Sequence, residues 1–130
     1  MSVKTYSVKK DGKKQLAKNF VVSEFACKDG TDKVLIAEKL PMVLQFIRAR
    51  VNRSVTINSA YRTEKHNKSV GGASNSQHLL GYAADIKVVG YKPQTLANIA
   101  REIMPDWGGV GIYDWGIHVD VRDSKSDWRG

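Results

Sequence analysis

The sequence predicts an α+β fold: a single domain with a small antiparallel sheet flanked by helices. Three observations carry this. The chain has 130 residues and 42% hydrophobic content, enough for one core and too little for two ordinary ones. Apolar residues recur with helical spacing in one stretch and alternate with strand spacing in others. Helix and strand signals are mixed along the chain rather than segregated into repeats, and no low-complexity tract interrupts them.

The elements follow in order. Across residues 36–51, Leu40, Val43, Leu44, Ile47 and Val51 fall on one helical face, with Arg48 and Arg50 elsewhere. Pro41 is tolerable only in a first turn, which places the regular part close to it. Val55 to Tyr61 alternates and is rich in β-branched and aromatic residues, the signature of a strand. Residues 62–77, with Gly71-Gly72 and many Ser, Asn and Lys, read as a long loop. Ala83 to Val89 is a second strand, and Pro93 to Met104 a second helix. Gly109 to Tyr113 and Ile117 to Val121 form a hairpin around Asp114-Trp115-Gly116.

Charge and cysteine content narrow the chemistry. The net charge is +8, and most of the excess lies in residues 1–18, where Lys4, Lys9, Lys10, Lys13, Lys14 and Lys18 face Asp11 alone. This marks a basic N-terminal segment, 1–18, ahead of a domain at 19–130. The segment reads either as solvated chain or as attraction to a polyanion such as an anionic wall polymer. No recognition helix, Cys/His finger or aromatic RNA-binding signature accompanies it, so specific nucleic-acid binding is not expected. No apolar segment follows the N-terminal lysines, so a signal peptide is not expected, and no stretch is apolar enough to span a membrane. The single cysteine, Cys27, excludes an internal disulfide and cysteine-rich zinc sites. Any metal must be held mainly by histidine and carboxylate.

His66, His78 and His118 all lie in the second half. His78 and Asp85 are separated by Gly81, which lets the chain turn so that both can face one point. In Gly-Ile-His-Val-Asp-Val, alternation puts Ile117, Val119 and Val121 on one strand face and His118 with Asp120 on the other. Two imidazoles and a carboxylate suit zinc with a fourth position open to water, although the spacing alone is a weak pattern.

The run Ser59-Ala-Tyr-Arg62, then Asn67, Gly71-Gly72, Ser76-x-His78-x-x-Gly81-x-Ala83-x-Asp85 and His118-Val-Asp120 resembles the zinc D-Ala-D-Ala carboxypeptidase and phage endolysin peptidase family, whose fold is shared with the hedgehog signalling domain. The resemblance extends from about Asn19 to Arg122. It implies a zinc-dependent enzyme hydrolysing a peptide bond in peptidoglycan stem peptides, as carboxypeptidase or endopeptidase, and expected to be monomeric. Position by position it implies Zn2+ held by His78, Asp85 and His118, with Arg62 contacting substrate near the scissile carbonyl and Ser76 and Gln77 binding substrate beside the metal. His66 matches no family ligand. Several relatives carry an acidic general base three residues before the last histidine, where this chain has Trp115. Asp114 and Asp120 are the two candidates for that role. The alternative is an inactive zinc-containing wall-binding module. The protein would be cytoplasmic on synthesis and act at the wall after release, as in a phage or prophage, or after export.

Overall fold

The computed structural model describes residues 2–130. Strand β1 (Val3–Ser7), a single helical turn α1 (Val8–Asp11), β2 (Gln15–Ala17), β3 (Phe20–Val21) and β4 (Lys33–Ala37) make up the first third. β1 pairs antiparallel with β4, and β2 with β3. The boundary expected after Lys18 is bridged by these pairings and by side chains: Ser7 Oγ donates to Asp32 Oδ2 at 2.6 Å, and Asp32 Oδ1 accepts from Lys9 N at 2.8 Å. The basic segment is therefore folded against the rest, with its six lysines exposed on the surface. Its short strands escaped the sequence reading because polar residues fill their solvent-facing positions and leave little alternation to read.

Helix α2 (Lys39–Val51) buries Leu40, Val43, Leu44, Ile47 and Val51, the face expected from their spacing. Each fully buried aliphatic side chain contributes about 1.5–3 kcal/mol. Pro41 lies in the first turn, where a missing N–H costs no helical bond. The helix ends at Asn52, whose left-handed φ of 51° caps it. Strand β5 (Thr56–Ser59) follows, then a short helix α3 (Glu64–Ser69) inside the stretch expected to be loop. Thr63 starts α3, its Oγ1 accepting from His66 N at 3.1 Å. Six polar residues have no apolar periodicity to betray a helix, so only this capping signal was available.

Strand β6 (Ala83–Lys87), helix α4 (Pro93–Ile103), β7 (Gly109–Tyr113), β8 (Gly116–Asp120) and β9 (Ser126–Arg129) complete the chain. The main sheet has the order β5-β6-β8-β7-β9, antiparallel except for the parallel β7–β9 pair at its edge. β9 is an addition to the expected sheet. One face, carrying Ala84, Ile86, Val110, Ile117 and Val119, is buried in a core shared with α2 and α4. Among the described residues no helix is long and apolar enough to cross a membrane.

Gly81 closes the 3-10 turn Gln77–Leu80 with φ +77°, and a Cβ there would lie 2.4 Å from the Leu35 carbonyl oxygen. Strain of this kind costs on the order of 1–3 kcal/mol, and the backbone oxygen of β4 cannot withdraw. Gly81→Ala is expected to lower the urea midpoint by at least that stability equivalent with an unchanged slope, as measured by circular dichroism.

Candidate metal and substrate cleft

Register sets the site. Ser59 opposes Asp85, Asp85 opposes His118, His118 opposes Gly111, and Gly111 opposes Trp128. These five residues form one row across the five strands, on the face away from the core. In Gly109-Val110-Gly111, the glycines fall on the site face and Val110 on the core face. A Cβ at Gly111 would meet the Trp128 indole at 2.4 Å, so only glycine lets that ring lie over β7 and reach His118, 5.0 Å away between ring centroids.

His78 arrives from the 3-10 turn, which Ser76 caps by accepting from His78 N through Oγ at 3.2 Å. Its Nδ1–H donates to the Ala60 carbonyl at 2.6 Å, which commits that nitrogen and leaves the Nε2 lone pair facing Asp85 Oδ1 at 3.2 Å. His118 is held the other way round: Nε2 is engaged by Asp120 Oδ2 at 2.8 Å, and Nδ1 faces the same Asp85 Oδ1 at 3.1 Å. Two imidazole nitrogens and one carboxylate oxygen thus converge, all within 4.8 Å of one another. Such a cluster of lone pairs is stable only with positive charge among them, supplied by protons or by a cation. The donor set, neutral imidazole and carboxylate with each ring oriented from behind by an acceptor, fits zinc.

The electrostatics agree with the geometry. Burial pushes the Asp85 carboxyl up, but hydrogen bonds from His118 and His78 outweigh it and hold Asp85 well below the usual carboxylate range. Burial pulls His118 down, and its bonds to Asp120 and Asp85 reverse this and raise it. Asp120, fully buried, is held below the usual range because Arg122 and His118 outweigh the cost of burial.

Arg62 stands beside this cluster. Its Nη2 is 3.2 Å from Asp85 Oδ2, Nε donates to Ser59 Oγ at 3.0 Å, and Nη1 donates to Asn67 Oδ1 at 3.2 Å. Of the five guanidinium N–H donors, two remain for a ligand. Arg62, Ser76, Gln77, His78, Asp85 and His118 all line one cleft of roughly 500 Å³. Gln77 Oε1 is buried there without a hydrogen-bond partner, an acceptor awaiting a donor.

The two base candidates are placed elsewhere. The β7–β8 pairing continues to Tyr113↔Gly116, which leaves Asp114 and Trp115 as a two-residue hairpin tip. Trp115 faces the cleft and stacks on Tyr113 at 5.0 Å, whereas Asp114 is exposed and outside the lining. Asp120 lies behind His118, with Oδ1 accepting from Gly109 N, Arg122 N and Arg122 Nε, and Oδ2 from Arg122 Nη2 as well as His118. Neither lines the cleft.

Tyr113, Trp115, Arg122 and Trp128 are cleft residues that the sequence reading did not single out. The alternate glycines opposite His118 were the one available signal, since bare positions on a strand face mark a close approach.

Residues 15–120 match the sequence profile of the family described as Peptidase M15. A stretch of 59 residues is 41% identical to the zinc D-Ala-D-Ala carboxypeptidase of Streptomyces albus G, covering 45% of this chain and 23% of that protein. The chain therefore spans well under half the length of this relative. With the family profile matched over most of its length, and with the row of Asp85 and His118 completed by His78 on its sheet face, this chain belongs to the Peptidase M15 family.

Proposed function

We propose that the chain is a zinc peptidase that hydrolyses a peptide bond in bacterial peptidoglycan stem peptides. The observation that carries the metal reading is the convergence of His78 Nε2 and His118 Nδ1 on Asp85 Oδ1, with the opposite nitrogen of each ring committed elsewhere. The substrate class rests on the similarity to a zinc D-Ala-D-Ala carboxypeptidase. When bound by His78, Asp85 and His118, zinc would polarise the scissile carbonyl and lower the pKa of a coordinated water to about 7.

The chain's own residues do the rest. Arg62 offers two free N–H donors to the carbonyl oxygen or to a neighbouring carboxylate. Gln77, in the cleft wall beside His78, binds substrate through its amide. Trp128 Nε1, which can only donate, points at the Tyr113 hydroxyl oxygen at 2.8 Å, so the tyrosine proton is free to be donated into the cleft toward developing negative charge. Asp120 is a positioning residue that fixes the His118 tautomer. The exposed lysines of the first segment supply a basic face for anionic wall polymers, an attraction that salt screens. Release to the wall as an endolysin fits this reading.

Digesting purified peptidoglycan with and without a chelator, then identifying fragments by mass spectrometry, tests activity, metal dependence and the bond cut together. A second reading, a zinc-containing wall-binding module, draws on one observation: among the described residues no carboxylate other than Asp85 lines the cleft. Wall binding without fragment release would favour it. Two variants separate the aspartates. Asp114→Asn is expected to keep both metal and turnover, because the side chain is outside the cleft. Asp120→Asn is expected to weaken metal affinity or activity by roughly 10–100-fold. Loss of turnover in Asp114→Asn with metal retained would return the general-base role to Asp114.

A further inference from the structure

Outside the cleft, a second cluster brings together one thiol, one carboxylate and one imidazole. Ligand atoms of Cys27, Asp29 and His66 all lie within 4.8 Å of one another, and none of the three lines the cleft. We propose that Cys27, Asp29 and His66 form a second divalent-metal site, selective for zinc-like ions, that ties the loop at 26–32 to helix α3.

The chemistry of the three donors supports this. A single cysteine cannot build a cysteine-rich site, but one thiolate joined by imidazole and carboxylate makes a three-ligand set with a position left for water. At bond lengths of about 2.0–2.3 Å, tetrahedral ligands stand roughly 3.3–3.8 Å apart, so donors within 4.8 Å of one another need to close by at most about 1.5 Å. They can do so, because Asp29 is exposed and His66 only half-buried. Among the described residues neither ring nitrogen of His66 has a hydrogen-bond partner, in contrast to His78 and His118, both of whose nitrogens are engaged. Cys27 is a buried free thiol whose sulfur contacts Thr63 Oγ1 at 4.0 Å and interacts with the Asp29 carboxylate. Asp29 is already oriented: Oδ1 accepts from Thr31 N at 2.9 Å and Oδ2 from Thr63 Oγ1 at 2.9 Å, and each oxygen retains a lone pair. The thiolate disfavours calcium and magnesium.

The location gives the site a purpose. α3 follows directly on Arg62, and Asn67 of α3 holds both the Arg62 guanidinium and, at 2.9 Å, the carbonyl of Ala73 in the cleft wall. A metal at Cys27, Asp29 and His66 fastens α3 to the loop at 26–32 and so steadies Arg62 without touching substrate.

Cobalt substitution distinguishes the two sites, because only this one contains sulfur. Metal-stripped protein titrated with Co2+ is expected to take up two equivalents, one of them with a near-ultraviolet sulfur-to-cobalt charge-transfer band. His66→Ala, at a half-buried surface position, and Cys27→Ser are each expected to lose that band and one equivalent, while His78→Ala keeps the band and loses the other equivalent. A wild-type protein that binds a single equivalent without the band, lost in His78→Ala and untouched in His66→Ala, overturns the second site and leaves the cleft assignment standing. If instead the band-bearing equivalent alone is found and His78→Ala changes nothing, the cleft assignment fails and the second site stands.

Discussion

Replacing His78 by Ala is expected to release the cleft metal and to lower hydrolysis of peptidoglycan by roughly a thousandfold or more. The scale follows because a catalytic metal supplies several kcal/mol of transition-state stabilisation and 1.36 kcal/mol is a factor of ten in rate. The substitution removes one of three protein ligands, leaving Asp85 and His118 with too few donors to hold a catalytic zinc. It also strips the Ala60 carbonyl of the proton it receives at 2.6 Å, so folding must be checked by circular dichroism beside metal content and rate. A folded His78→Ala protein that cleaves at the parent rate would sink the metal assignment. The same site carries a pH signature. His118 must be neutral to bind metal, and in the metal-free protein it is raised above 6.5, so protons compete from above that pH and zinc affinity falls as pH drops.

Tyr113→Phe is expected to lower kcat by about 10²–10³-fold with little change in KM, the scale for losing one donor to an oxyanion. The argument rests on direction. Indole Nε1–H has no acceptor capacity, so in the 2.8 Å contact with Trp128 the tyrosine oxygen must accept and its own proton is left over. Tyr113 lines the same cleft as His78, Asp85 and His118, and in the 3-10 turn the His78 N–H is already used by Ser76 Oγ. Phenylalanine preserves the ring stacked on Trp115, which separates the hydroxyl from the aromatic surface. Unchanged kcat would remove Tyr113 from the chemistry, and a rise in KM alone would make its hydroxyl a ground-state contact.

Much of this was legible in the chain. The α2 face was readable because a helix packed on one side repeats its apolar residues every three or four positions, and Leu40, Val43, Leu44, Ile47 and Val51 are those that became buried. The hairpin was readable because strands with one core face alternate, as Ile117 and Val119 do against His118 and Asp120. His78, Asp85 and His118 were readable from residue type and from the family resemblance of their motif. The strands β1 and β9 were not, since an edge strand exposed along one side keeps polar residues that look like loop. α3 was missed for a related reason, having no apolar stripe to bury.

The aspartates mark the line between the two sources of information. The sequence by itself determined that Asp114 and Asp120 flank the last histidine, and that each is chemically able to accept a proton. Only the tertiary structure decided where those carboxylates go. Cross-strand register placed Asp120 behind His118 against Arg122 and Gly109, and made Asp114 and Trp115 a hairpin tip with Trp115 turned to the cleft. In the same way Cys27, Asp29 and His66 have no recognisable spacing, and they meet because Thr63 starts α3 at the point where its hydroxyl reaches Asp29. Local periodicity records which face of an element is buried, because burial acts on each residue through its neighbours three, four or two positions away. The meeting of side chains from separate elements depends on register and packing between strands and helices, which leave no period in the chain.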